Sequence, residues 1–144
     1  KCLRFIWQGF EGEQLLLLDA HKFGEVIQNV ISNAIRFAPE KSDIYVSVQE
    51  EKTTVALAVK DSGRGISARD QHLLFHKFGG KQDALTKLPE QEHGLGLYIA
   101  QEFTRLHGGR IHVTSELGKG TTFTIRLPKA RELVPDAPHL YLTH

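Results

Sequence analysis

Between Lys22 and Phe37, apolar side chains recur at Phe23, Val26, Ile27, Val30, Ile31, Ala34 and Ile35. That is the i, i+3, i+4, i+7 spacing of an amphipathic helix, and Pro39 ends it. Such a helix gains most of its stability by laying its apolar stripe on another layer, so the chain must build that layer. At about 100° per residue, Asn29, Asn33 and Arg36 fall in one narrow stripe, read as roughly opposite the apolar face. Asparagine is a mediocre helix former, so two in a docked helix ask for a reason. Amide oxygens and a guanidinium in a row suit a metal-bound polyphosphate. A solvated helix face is the plainer alternative.

The remaining segments supply the second layer. Leu3–Phe10 and Gln14–Asp19 read as two strands joined by a turn at Glu11–Glu13. Ile44–Gln49 and Val55–Lys60, separated by Glu50–Thr53, read as a hairpin. Ala68–Phe78 suggests a short helix. Gly79–His93 is polar, contains Gly-Gly and Pro89, lacks periodicity and reads as a mobile loop. Gly94–His107 is a helix with Leu95, Ile99, Phe103 and Leu106 inward, ended by Gly108 and Gly109. Arg110–Ser115 and Thr121–Leu127 flank a turn at Gly118–Gly120. The pattern predicts an α+β domain over 1–129, a two-layer sandwich with helices on one face of a mixed sheet, and a tail over 130–144.

Composition excludes several functions. The formal net charge is +1 over 144 residues, which argues against nucleic acid and anionic lipid as partners. One cysteine, Cys2, cannot form an internal disulfide and fits a reducing compartment. No apolar run approaches the roughly 20 residues needed to span a bilayer, so no membrane contact is expected of this segment. The first residue is lysine and no signal-peptide pattern follows, which suggests a domain of a longer polypeptide. His72 and His76 are the only histidines at i, i+4 spacing, and no tight metal-binding spacing occurs among the eight.

Three glycine-rich motifs remain. Asp61-Ser62-Gly63-Arg64-Gly65-Ile66 follows a strand. Its glycines let backbone approach a flat ligand, and its carboxylate can accept from an exocyclic amine. His93-Gly94-Leu95-Gly96-Leu97 opens a helix, where free N–H groups favour phosphate. Gly118-Lys119-Gly120-Thr121 turns into the last strand. Each alone is compatible with an ordinary turn or helix entry.

In order, the Asn…Asn helix, Asp-x-Gly-x-Gly, Phe75-His76-Lys77-Phe78, Gly-Leu-Gly-Leu and Gly-x-Gly-Thr resemble the catalytic and ATP-binding domain of sensor histidine kinases. That family belongs to the superfamily holding type II topoisomerase and mismatch-repair ATPases. The resemblance runs from about Leu15 to Leu127. It implies the Bergerat sandwich, with three main helices and a mobile ATP lid. It implies ATP and Mg²⁺ as ligands, with Asn33 on the metal, Asn29 beside the phosphates, and Arg36 on a phosphate. Phe37 would lie near adenine, and Asp61 would accept its amino hydrogen, with Gly63, Gly65 and Ile66 shaping that wall. Gly94, Leu95, Gly96 and Leu97 would border the phosphates, Thr121 would support the adenine pocket, and Lys77, Phe78 and Lys81 would belong to the lid.

The resemblance further implies partners. A dimerisation domain of the same kinase would carry the phosphoacceptor histidine, a response regulator would receive the phosphoryl group, and the full-length kinase would be a cytoplasmic-facing homodimer. The ATPases and anti-sigma serine kinases of the superfamily carry Glu where Asn29 stands, and an amide cannot act as a general base. Glu92 replaces the family's first glycine in the Gly-x-Gly-Leu-Gly-Leu run. The alternatives are a serine kinase or ATPase of the same superfamily, or a degenerate kinase domain serving as an interaction module.

Overall fold

A computed structural model describes residues 2–9, 16–76 and 95–133. Strands β1 (Arg4–Gln8), β2 (Asp43–Glu50), β3 (Thr54–Asp61), β4 (Arg110–Glu116) and β5 (Gly120–Pro128) form one sheet. Its spatial order is β1-β2-β3-β5-β4. β1 runs parallel to β2, and the other pairs are antiparallel. Helices α1 (Ala20–Phe37) and α3 (Gly96–Leu106) pack on each other and on one face of the sheet. Two single-turn helices, α2 (Ala68–Gln71) and α4 (Ala130–Leu133), complete the described elements. This is the two-layer mixed sandwich that the hydrophobic patterning predicts.

The inner sheet face carries the core. Register pairs Val59 with Phe123, Leu57 with Ile125 and Val55 with Leu127, so alternate residues of β3 and β5 point the same way. These meet Val26, Val30 and Ala34 of α1 and Ala100 of α3, all completely buried. Phe75 stands edge-on to Phe123, with ring centroids 6.4 Å apart.

Three segments differ from the sequence reading. The expected strand at Gln14–Asp19 is absent over its described part, 16–19. Asp19 instead caps α1, its Oδ1 accepting from the Lys22 amide at 3.1 Å. Among the described residues the expected first hairpin is not seen; β1 finds its parallel partner β2 through the α1 crossover. Parallel pairing leaves no turn signature between the partners, and Leu16 serves the core from irregular chain. The expected helix at Ala68–Phe78 is helical only to Gln71, with turns to His76 and its last two residues outside the described set. At the other end, α4 occupies the start of the predicted tail, with Ala130 buried. The Lys129 ammonium, also buried, pairs with Glu50 at 2.7 Å.

α1 and α3 are tied end to end by one imidazole. His107 follows α3; its Nδ1 lies 2.6 Å from the Phe103 carbonyl, and its Nε2 accepts from the Asp19 amide at 2.9 Å. A carbonyl cannot donate, so Nδ1 carries the hydrogen and Nε2 is the acceptor. The ring also meets Phe23 edge-on at 6.2 Å. Replacing His107 with Ala should cost about 0.5–1.5 kcal/mol, because it removes the bond to the exposed Asp19 amide and the ring's contact with Phe23. Urea unfolding measures this, and an unchanged midpoint would show that the tie carries no weight.

Candidate functional site

The polar stripe of α1 borders the buried stripe and is not opposite to it. Asn33 lies two turns beyond Val26 on nearly the same side, and only 7% of it is exposed. The sequence expectation of a roughly opposite face fails because the apolar residues wrap most of the helix, leaving Asn29, Asn33 and Arg36 at the margin of the core. That margin is the seam with α3. Asn33 Nδ2 donates to the Asn29 carbonyl at 2.9 Å, and Arg36 Nη2 donates to Asn33 Oδ1 at 3.4 Å. The amide oxygen is thus turned away from the helix backbone, toward the guanidinium.

α3 begins at this seam. A Cβ on Gly96 would sit 3.3 Å from Asn29 Oδ1, so the helix starts against that amide. Its N-cap residue, Leu95, makes no side-chain cap. The first-turn N–H groups lack an intrahelical partner by the geometry of any helix, and the Leu95 side chain takes none of them. Leu97 turns into the core at 7% exposure, while Leu95 is 38% exposed. Glu25, one turn before Asn29, faces His21 at 3.5 Å.

The second wall is the 61–66 loop. Asp61 ends β3 opposite Thr121 and is 2% exposed. Its Oδ1 accepts from the Gly63 amide at 2.8 Å. Burial pushes its carboxyl above the usual carboxylate range, while backbone hydrogen bonds from Gly63 and Thr121 pull it partly back. Gly63 is packed under α1: a Cβ there would lie 2.4 Å from the Phe37 carbonyl oxygen. Gly65 has φ +77°, and a Cβ on it would lie 2.2 Å from the Glu116 carbonyl oxygen. The Phe37 ring carries two guanidiniums, those of Arg36 and Arg64, at 5.4 and 5.5 Å from its centroid.

Ser115 holds the floor together, and no motif in the sequence marks it. Its Oγ accepts from the Ile66 amide at 2.7 Å and donates to the Gly120 carbonyl at 2.9 Å. With that hydrogen committed, the contact of 2.8 Å to Thr121 Oγ1 must be donated by Thr121. Thr121 therefore keeps its oxygen lone pairs beside Asp61. Gln71 braces the same point, donating to the carbonyls of Ile66 at 2.7 Å and Ser115 at 3.2 Å. Only register pairing, Ser115 with Thr121, could have pointed to this serine.

The fold thus gathers Asn29, Asn33, Arg36, Phe37 and Gly96 on one side, and Asp61, Gly63, Gly65, Ile66 and Thr121 on the other. Lys77, Phe78, Lys81, Glu92 and Gly94 lie outside the described residues. An amide oxygen, the Arg36 guanidinium, first-turn helix N–H groups and a buried carboxyl form a donor set suited to a phosphorylated, amine-bearing heterocycle and a hard cation.

Comparison with known proteins agrees. The family described as histidine kinase-, DNA gyrase B- and HSP90-like ATPase matches residues 18–131, and the chain belongs to that family. The relatives it matches include sensor kinases, and the chain is the ATP-binding catalytic domain of that kind. Sensor protein SrrB of Staphylococcus aureus (strain NCTC 8325 / PS 47) is 40% identical over 111 residues, covering 77% of this chain and 19% of that protein. The chain therefore spans about a fifth of the length of the curated relatives it matches. A mycobacterial sensor histidine kinase, MprB, superposes with a TM-score of 0.73 at 26% identity, over 88% of this chain and 82% of that one. The catalytic domain of histidine kinase ThkA superposes at 0.71 and 25% identity, over 88% and 78%.

Two predictions concern the site's own energetics. Burial raises the folded-state pKa of Asp61 above its ordinary 3.8, so stability falls as pH rises from that value through the raised one. Asp61→Asn should remove this slope and leave the unliganded domain at least as stable at neutral pH, as urea unfolding across the acid range will test. Ser115→Ala leaves the Ile66 amide without its acceptor and should cost about 1–3 kcal/mol. Equal stability of that variant and the parent would deny Ser115 its bracing role.

Proposed function

We propose that this domain binds Mg–ATP between the α1–α3 seam and the 61–66 loop, and presents the terminal phosphate to a histidine on the dimerisation domain of the same kinase. The buried Asp61 is the observation that carries the reading. A carboxyl at 2% exposure is costly, and its two backbone donors leave acceptor capacity beside the Thr121 hydroxyl. An exocyclic amine of adenine satisfies that capacity. Gly63, with Phe37 pressed on it, and Gly65 keep the wall flat enough for a purine.

The phosphate end falls to α1 and α3. Asn33 offers a hard amide oxygen to magnesium, and Arg36 and the α3 first turn offer N–H groups to phosphate oxygens. When bound, the metal neutralises phosphate charge. The protein's part is positioning and charge neutralisation, since phosphoryl transfer asks little covalent work of it. Asn29 fits a histidine acceptor: a neutral imidazole is nucleophilic without a base, whereas water or a serine hydroxyl needs one. The acceptor nitrogen forms the new P–N bond as the bond from the terminal phosphorus to the bridging oxygen breaks, releasing ADP. A response-regulator aspartate then receives the phosphoryl group. The full-length kinase acts as a homodimer with this domain in the cytoplasm.

Losing a charge-assisted hydrogen bond costs about 1.5–3 kcal/mol, so Asp61→Asn should weaken ATP roughly 10- to 150-fold by calorimetry. Asn33→Ala should abolish the magnesium dependence of binding. Supplied with its dimerisation domain, the parent chain should place acid-labile, alkali-stable phosphate on that partner. Acid-stable phosphoester there would point to a serine kinase instead, and a chain that ignores nucleotide would be an interaction module.

A further inference from the structure

Arg64 has no part in the site as described so far, yet its position is tightly defined. Its carbonyl accepts from the Gly118 amide at 2.7 Å, and it stands between Gly63 and Gly65, both packed against neighbouring backbone. The side chain therefore leaves a fixed point. It is exposed, and among the described residues no carboxylate pairs with it. Its guanidinium rests over the Phe37 ring at 5.5 Å from the centroid, and Arg36 approaches the same ring to 5.4 Å. One ring thus gathers a cation from each wall of the site.

We infer that Arg64 is a second guanidinium of the nucleotide site and contacts the phosphate chain, with Phe37 holding it in readiness; this rests on the ATP reading above. An exposed cation–π contact is worth only about 0.5–1 kcal/mol, so a stronger anion contact displaces it readily. The planar guanidinium fork matches phosphate oxygens with charge-assisted bonds, which are stronger than stacking on a neutral ring. Two like charges brought to one ring repel each other, and a bound anion offsets that repulsion. Asp61, buried at the base end, is bonded to Gly63 and does not reach out to neutralise Arg64.

Calorimetric titration of the parent chain, Arg64→Ala and Arg64→Lys with Mg–ATP and with adenosine tests the assignment. Arg64→Ala should weaken ATP about tenfold and leave adenosine within about twofold of the parent, with Arg64→Lys between for ATP. The tenfold gap should narrow in high salt, as an exposed charge contact does. Equal weakening of ATP and adenosine would mean that Arg64 acts through the shape of the base pocket, and unchanged ATP affinity would remove it from the site; either overturns the inference alone. A parent chain that binds neither ligand overturns the ATP reading as well. The melting temperature of Arg64→Ala should match the parent's, which separates a lost contact from a damaged fold.

Discussion

The backbone contact between the 61–66 loop and its two neighbours sets the rest of the site. Gly63 leaves no room for a methyl group beneath the Phe37 carbonyl, and Gly65 none beside Glu116. Gly120 closes the third side, where a Cβ would lie 2.2 Å from the Asp61 carbonyl oxygen. The end of α1, the end of β3 and the β4–β5 turn are thereby locked at van der Waals distance through main chain alone. Main chain cannot repack as side chains can, so the spacing between Asp61 and Arg36 follows from sheet register and helix docking.

That rigidity explains how polar groups can be buried here. Asp61, Asn33 and Thr121 are all nearly inaccessible, and such burial is tolerable only with bonded partners. Ser115 spends its one hydrogen and both acceptor sites on the loop and turn. Acceptor capacity is left beside Asp61 and Thr121, and burying the carboxyl carries a stability cost that its raised pKa registers.

Charge acts through placement. The chain is nearly neutral overall, so no long-range field draws an anion in. Locally, Arg36 and Arg64 converge on the Phe37 ring, and the start of α3 carries a partial positive charge.

Periodicity made α1, α3 and the β2–β3 and β4–β5 hairpins legible, because local patterns with turn residues between them encode antiparallel neighbours and helices. The order of the motifs pointed to the family, and Asp61, Asn33 and Gly96 could be named before any fold was seen. The parallel β1–β2 pair was not legible, since its partners are joined by a helix and no turn announces them. Nor was the burial of Asn33, which depends on α3 covering the edge of α1. Ser115 and Arg64 carry no motif of their own; one matters through cross-strand register and the other through a ring supplied from a different element. Chain order thus determined the chemistry available to this protein, and tertiary packing alone decided which polar atoms lost their water and came to need a ligand.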